Sequence, residues 1–120
     1  MATELIASQT KEDVTIVHIM EKNLLEMEER ALNELAQSLF DLVEEHSPMK
    51  LILSFVHVKY FSTSVLGMLV MLKKKVVESR SALKICSIRP PLYEMLVLTK
   101  LNTILDIYMD EEAALASFRR

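Results

Sequence analysis

Three consecutive hydroxyl residues, Ser62, Thr63 and Ser64, stand directly before an apolar stretch, and no other residues in this sequence are better placed to do chemistry. At a helix start, a hydroxyl oxygen accepts from the first backbone N–H groups, which have no partner within the helix. One hydroxyl is enough for that task. Three in a row leave two readings open: chance clustering around a cap, or a second use beyond capping.

Other chemistries find less support. The motif GxGxxG is absent, and a single glycine, Gly67, cannot build a phosphate cradle. His18, His46 and His57 fall on a strand, a helix end and a loop without metal-ligand spacing, so neither metal nor other cofactor is expected. Cys86 could pair with a histidine as a nucleophile, but a small buried residue on a strand is the reading that cysteine's burial habits favour. Carboxylates gather as Glu26, Glu28 and Glu29, and again as Asp41, Glu44 and Glu45, as solvated helix faces do. Lys73, Lys74 and Lys75 lack interleaved aromatics and read as a solvated helix face, not a nucleic-acid groove. No catalytic activity is expected.

The elements that must position the hydroxyls come from a chain of 120 residues, suited to one domain over 1–120. With 51% apolar and 26% charged residues it can supply both a core and a soluble surface. One cysteine excludes an intramolecular disulfide framework and fits a reducing compartment. The first residues lack the basic and apolar regions of a secretory signal, so a cytoplasmic location is expected. The longest uncharged apolar run, 65–72, is far short of the ~20 residues a spanning helix needs. A net charge of −3 gives no general attraction to nucleic acid.

Residues 14–20 (VTIVHIM) are rich in β-branched types and read as a strand, with a shorter partner at 5–8. Asn23 caps a first helix, with Glu26 as its capping-box partner and Leu25, Leu32, Leu35, Leu39 and Leu42 at helical spacing to about His46. Ser47 and Pro48 end it. A short apolar run at 51–56 suits a strand buried on both faces. Ser62 caps a second helix from Thr63 to about Arg80. A strand at 82–88 follows, then a helix opened by Pro90 and Pro91, a short strand at 104–108 and a last helix capped by Asp110. The order β-β-α-β-α-β-α-β-α argues an α/β domain with a largely parallel sheet.

At ~100° per residue, Val65, Leu66, Leu69, Leu72, Val76 and Val77 form one apolar face of the second helix. Ser64, Met68, Met71 and Lys75 then fall on the opposite, solvent side. Methionine is common at partner-binding surfaces, so this side is the expected docking face.

The segment from Phe61 to Leu69 (FSTSVLGML) resembles the strand–loop–helix motif of STAS domains, which carry an Asp-Ser-Ser/Thr-x-Gly-like turn there. Residues 92–101 resemble the family's third helix, and 104–118 its closing strand and acidic-capped helix. The resemblance covers nearly the whole chain. It implies a mixed, largely parallel sheet of four to five strands with about four helices packed mainly on one face. It also implies an anti-sigma-factor antagonist that binds a serine/threonine-kinase anti-sigma factor, with Thr63 at the phosphoacceptor position and Ser64 at the following hydroxyl. Ser62, Thr63, Ser64, Met68, Met71 and Lys75 are then the expected partner-binding residues. The alternative is a constitutive subunit of a stressosome-like or lipid-transport complex. Neither role involves nucleic acid or direct membrane insertion. The chain departs from the pattern at Ser62 (usually Asp), Ser54 (an acidic position), Val65 (the first glycine) and Lys100 (a helix-ending glycine).

Overall fold

The computed structural model describes residues 5–119. Two extended segments open the chain, β1 (Ile6–Lys11) and β2 (Val14–Ile19). They pair antiparallel across a two-residue turn in which Glu12 and Asp13 both have positive φ, 51° and 70°. That backbone twist matches the twist of the flanking strands and is what the shortest hairpins select. The turn is tied to the far end of the chain, where the Arg119 guanidinium donates to both Glu12 carboxylate oxygens at 2.8 and 2.6 Å. This pairing holds the Glu12 carboxyl below its usual range. The contribution is therefore fully present above that range and is lost as pH falls below it, through the lowered folded-state value.

Three parallel strands follow, each reached through a helix. The remaining elements in chain order are α1 (Glu29–His46), β3 (Lys50–Ser54), α2 (Thr63–Glu78), β4 (Ala82–Cys86), α3 (Pro90–Leu98), a single 3-10 turn (Leu101–Thr103), β5 (Asp106–Tyr108) and α4 (Glu111–Phe118). The sheet order is β1-β2-β3-β4-β5, with β2 through β5 parallel. This is the expected mixed, largely parallel architecture.

Repeated right-handed crossovers place α1, α2 and α3 on one face. The main core lies under them and includes Val17, Leu35, Leu39, Leu53, Leu69 and Leu96. Among the described residues only α4 covers the other face, where Ala114 and Leu115 close a smaller core over Ile16, Ile52 and Cys86. Its start is capped as expected, because Asp110 Oδ1 accepts from the Ala113 N–H at 2.8 Å. Lys84 runs under it and donates to Ser117 Oγ at 2.7 Å, 4.4 Å from the Phe118 ring centroid.

Several boundaries differ from expectation. β1 runs to Lys11, because the tight turn lets it pair with all of β2. The first helix begins at Glu29, six residues after Asn23. Asn23 Oδ1 does accept from the Leu25 and Glu26 N–H groups, at 3.0 and 3.2 Å. The Leu24 N–H, however, donates to the Tyr60 carbonyl across the structure, so this stretch is a pinned turn and Leu25 lies exposed. The closing strand shrinks to three residues because Leu101–Thr103 is a 3-10 turn.

The largest correction concerns the rotation of α2. Met68 is buried and Val77 exposed, the reverse of expectation. α2 is the middle helix of three, so its buried arc faces the sheet and also turns sideways toward α1. Met68 lies on that side, and a groove beside it is lined by Leu32, Ala36 and Phe40 of α1. Lys75 also points to α1: its ammonium donates to Glu44 Oε1 at 2.8 Å, 5.6 Å from the Phe40 ring centroid. On the other side, α3 has nine residues against sixteen in α2. Val77, in the last turn of α2, is left exposed.

Met68→Ala should cost about 2–5 kcal/mol, as expected for a buried methionine, whereas Met71→Ala should stay within about 0.5 kcal/mol. Denaturant titration of both variants checks the rotation. Equal losses would place both side chains in the core. A second expectation comes from Lys100, which stands in the left-handed region at φ 63° at the end of α3. Lys100→Gly should stabilise the fold by about 0.5–1 kcal/mol, and raise the thermal midpoint by about 3–5 °C. A lower midpoint would mean that the lysine side chain contributes more than its backbone costs.

Candidate functional site

The hydroxyl triplet is held by the loop between β3 and α2. Three apolar side chains of that loop, Phe55, Val58 and Phe61, are buried, and the Phe55 and Phe61 rings meet edge-to-face at 5.9 Å. The Phe55 N–H donates to the Cys86 carbonyl at 3.0 Å, and the Lys59 N–H donates to the Lys22 carbonyl at 2.8 Å. Between these anchors Val56, His57, Lys59 and Tyr60 stay exposed. The loop is therefore fixed in path while offering its remaining side chains to solvent.

Ser62 occupies the N-cap position with an extended backbone, φ −99° and ψ 173°. Its hydroxyl does not cap the helix, contrary to expectation. Among the described residues, Ser62, Thr63 and Ser64 make no side-chain hydrogen bond at all; Ser62 is half-buried, while Thr63 and Ser64 are exposed. The capping explanation for the triplet thus falls away. Among the described residues no base is hydrogen-bonded to any of the three. What remains is a rigidly presented hydroxyl pair at the positive end of a sixteen-residue helix.

The other expected partner residues divide. Met71 is exposed beside the hydroxyls, while Met68 is buried and Lys75 is engaged by Glu44. The outward ridge of α2 instead carries Thr63, Ser64, Gly67, Val70, Met71 and Lys74. Neither Gly67 nor Val70 was among the expected partner-binding residues, for opposite reasons. Val70 looks like core by composition. Gly67 carries a signal that could have been used, since it is the chain's one glycine and stands inside a helix. Its φ is not positive, and a Cβ placed there meets nothing within 4 Å. Nothing inside the protein requires a glycine at this position.

Two features away from the helix complete the account. His18 and His57, expected apart, lie with ring centroids 5.8 Å from one another, and His18 Nε2 is 3.4 Å from Glu111 Oε1. No group of three or more His, Cys, Asp or Glu side chains able to hold a metal occurs among the described residues. Cys86 is buried, and burial pushes its thiol up while nearby Ser87 and Ser54 hydroxyls oppose the shift weakly. A protonated, enclosed thiol is a poor nucleophile, in line with a structural role. Ser54, the one buried polar residue among the described residues, accepts from the Val56 N–H at 3.3 Å and so helps turn the chain out of β3. No helix among the described residues is long and apolar enough to cross a membrane.

Comparison with known proteins places this arrangement. An anti-sigma-factor antagonist from Mycobacterium paratuberculosis superposes with a TM-score of 0.80 at 16% identity, over 96% of this chain and 93% of that one. The phosphorylated form of the Bacillus cell fate determinant SpoIIAA gives 0.65 at 10% identity, over 90% and 95%. A chain of the Acinetobacter MlaFEDB complex in an ATP-bound conformation gives 0.66 at 12% identity, over 85% and 99%. No curated protein matches by sequence. At these identities the superpositions establish the fold. The sequence itself matches the family described as STAS domain over residues 6–114, and the chain belongs to the STAS domain family.

Proposed function

We propose that this chain is a non-catalytic, cytoplasmic protein-binding module of the anti-sigma-factor antagonist type. It binds a serine/threonine-kinase anti-sigma factor through the start and outward ridge of α2, and so frees a sigma factor. The observation that carries this reading is the unengaged hydroxyl pair beside Gly67, Val70 and Met71. The hydroxyls have no intramolecular partner among the described residues, and Gly67 is open on the same ridge. An exposed glycine inside a helix costs about 1 kcal/mol relative to alanine. Close approach of a partner's backbone gives that cost a use.

A phosphoryl group on Thr63 fits the same surface. It would add about −1.5 to −2 charges at the positive end of the helix, without disturbing a buried contact. The kinase must supply both nucleotide and base, because this chain offers neither. Ser64 is the second acceptor by exposure. The expected contact set becomes Ser62, Thr63, Ser64, Gly67, Val70 and Met71, with Met68 and Lys75 supporting the ridge from the α1 side.

A second reading, the constitutive complex subunit, is favoured by one feature. Ser62 stands where phosphorylated relatives of the family usually carry Asp, which removes a charge that a kinase could use for recognition. The likeness to a chain of the MlaFEDB complex gives this reading a structural counterpart.

Pull-down against a candidate kinase anti-sigma factor, with and without ATP, separates the two. Loss of the complex with ATP, together with phosphate mapped to Thr63, supports the switch. An ATP-indifferent complex supports the subunit. Thr63→Glu should weaken binding about tenfold or more, which corresponds to at least ~1.4 kcal/mol. Thr63→Ala should bind normally and resist ATP. Gly67→Ala should raise the thermal midpoint while weakening the complex. A Gly67→Ala protein that binds as well as the parent would remove the ridge from the interface.

A further inference from the structure

The 17 carboxylates of this chain are unevenly placed. None falls between residues 46 and 77, a stretch that contains Lys50, Lys59, Lys73, Lys74 and Lys75. In a protein of net charge −3, the whole β3–α2 loop and all of α2 before Glu78 are free of acid. Two of these lysines have local explanations. Lys50 lies 6.0 Å from the Phe118 ring on the α4 side, and Lys75 pairs with Glu44. Lys73 is half-buried, while Lys59 and Lys74 have no such explanation: both are exposed, and among the described residues neither makes an ion pair. They stand at the entrance and on the outward ridge of α2, with Gly67, Val70 and Met71 between them.

We propose that the α2 ridge docks an acidic surface of a partner protein, whose apolar residues meet Gly67, Val70 and Met71 while its carboxylates face Lys59 and Lys74. The inference rests on the reading of α2 as the partner surface and adds the chemistry of the partner. The acids bordering the ridge support a partner of limited footprint. Glu28, Glu29 and Glu34 lie at the start of α1, and Glu78 closes α2. A broad anionic sheet such as a membrane would meet the α1 carboxylates together with the lysines. A protein can cover the ridge alone. Nucleic acid finds no aromatic platform interleaved with the lysines. The same charge balance supplies a switch that does not need the missing Asp at position 62. A phosphate on Thr63, adding about −1.5 to −2 charges, would cancel most of the charge of Lys59 and Lys74 and so remove the attraction.

The test uses the whole chain and three defined probes. The first is a labelled helical peptide with leucine at helical spacing among glutamates. The second is the same peptide with lysine replacing glutamate, and the third is a pair of anionic controls, phosphatidylglycerol-containing vesicles and a short oligothymidylate. The glutamate peptide should bind, and its affinity should fall about tenfold or more as salt rises from low to about 0.5 M. Lys59→Glu with Lys74→Glu should reduce binding about tenfold or more at low salt without changing the thermal midpoint, and Lys59→Gln with Lys74→Gln should fall between. Equal binding of both peptides, binding of neither, or no effect of the charge variants overturns the inference. So does tighter binding to vesicles or oligothymidylate, which would make the ridge a membrane or nucleic-acid surface. A kinase that exchanges with ATP while the glutamate peptide fails would leave the antagonist reading standing and sink only the acidic partner. A glutamate peptide that binds while no kinase complex forms would do the reverse.

Discussion

The rest of the molecule depends on β3 being buried on both faces. Leu51, Ile52 and Leu53 have no exposure, and they alternate between two cores. A strand placed so needs pairing on both edges and a layer of apolar side chains on both sides. The first requirement puts β2 and β4 beside it. The second is met unequally, by three helices above and one of eight residues below. An eight-residue helix has little stability of its own. α4 is held instead by its buried Ala114 and Leu115, by its Asp110 cap, by Lys84 reaching Ser117, and by the Glu12–Arg119 pair that ties it to the β1–β2 turn.

Because α2 follows β3 directly, the burial of β3 also decides how the hydroxyls are displayed. Phe55, Val58 and Phe61 extend the core into the loop, so the loop cannot drift. Ser62 then enters the helix with an extended backbone and its neighbours facing outward. A rigid loop would be wasted on hydroxyls that merely cap a helix. Among the described residues no base is hydrogen-bonded to them, so the loop's rigidity bears on how they are displayed. It gives a surface of defined shape, which is what recognition by another protein needs.

Most of the fold was legible in the sequence, because strand–helix alternation, the proline-opened α3 and the Asp110 cap are local signals. What was not legible came from contacts between distant segments. Asn23 looks like a helix cap and is one half of a turn, because Leu24 bonds to Tyr60 far along the chain. Met68 and Met71 look alike on a helical wheel, yet a neighbouring helix buries one and leaves the other. Helical periodicity averages the apolar positions into one direction, and a helix with neighbours on two sides has two. The close approach of His18 and His57 had no local signal, since it follows from strand register and the path of the next loop.

Residues that serve the fold and residues that serve the surface are interleaved on α2 almost one for one. Val65, Leu66, Met68, Leu69, Leu72 and Val76 fill the core, while Thr63, Ser64, Gly67, Val70, Met71 and Lys74 stand between them on the ridge. This spacing lets the ridge change without disturbing the core. Stability constrains one set through packing density, where a single methylene is felt. The other set is constrained only by what it touches outside. The departures from the family pattern are consistent with this division. Val65, in place of the first glycine, is fully buried and adds apolar contact to the core. Ser62, in place of Asp, is on the surface side and removes a negative charge from a stretch that has no other. The first substitution follows from folding, and the second has no counterpart in the packing of the core.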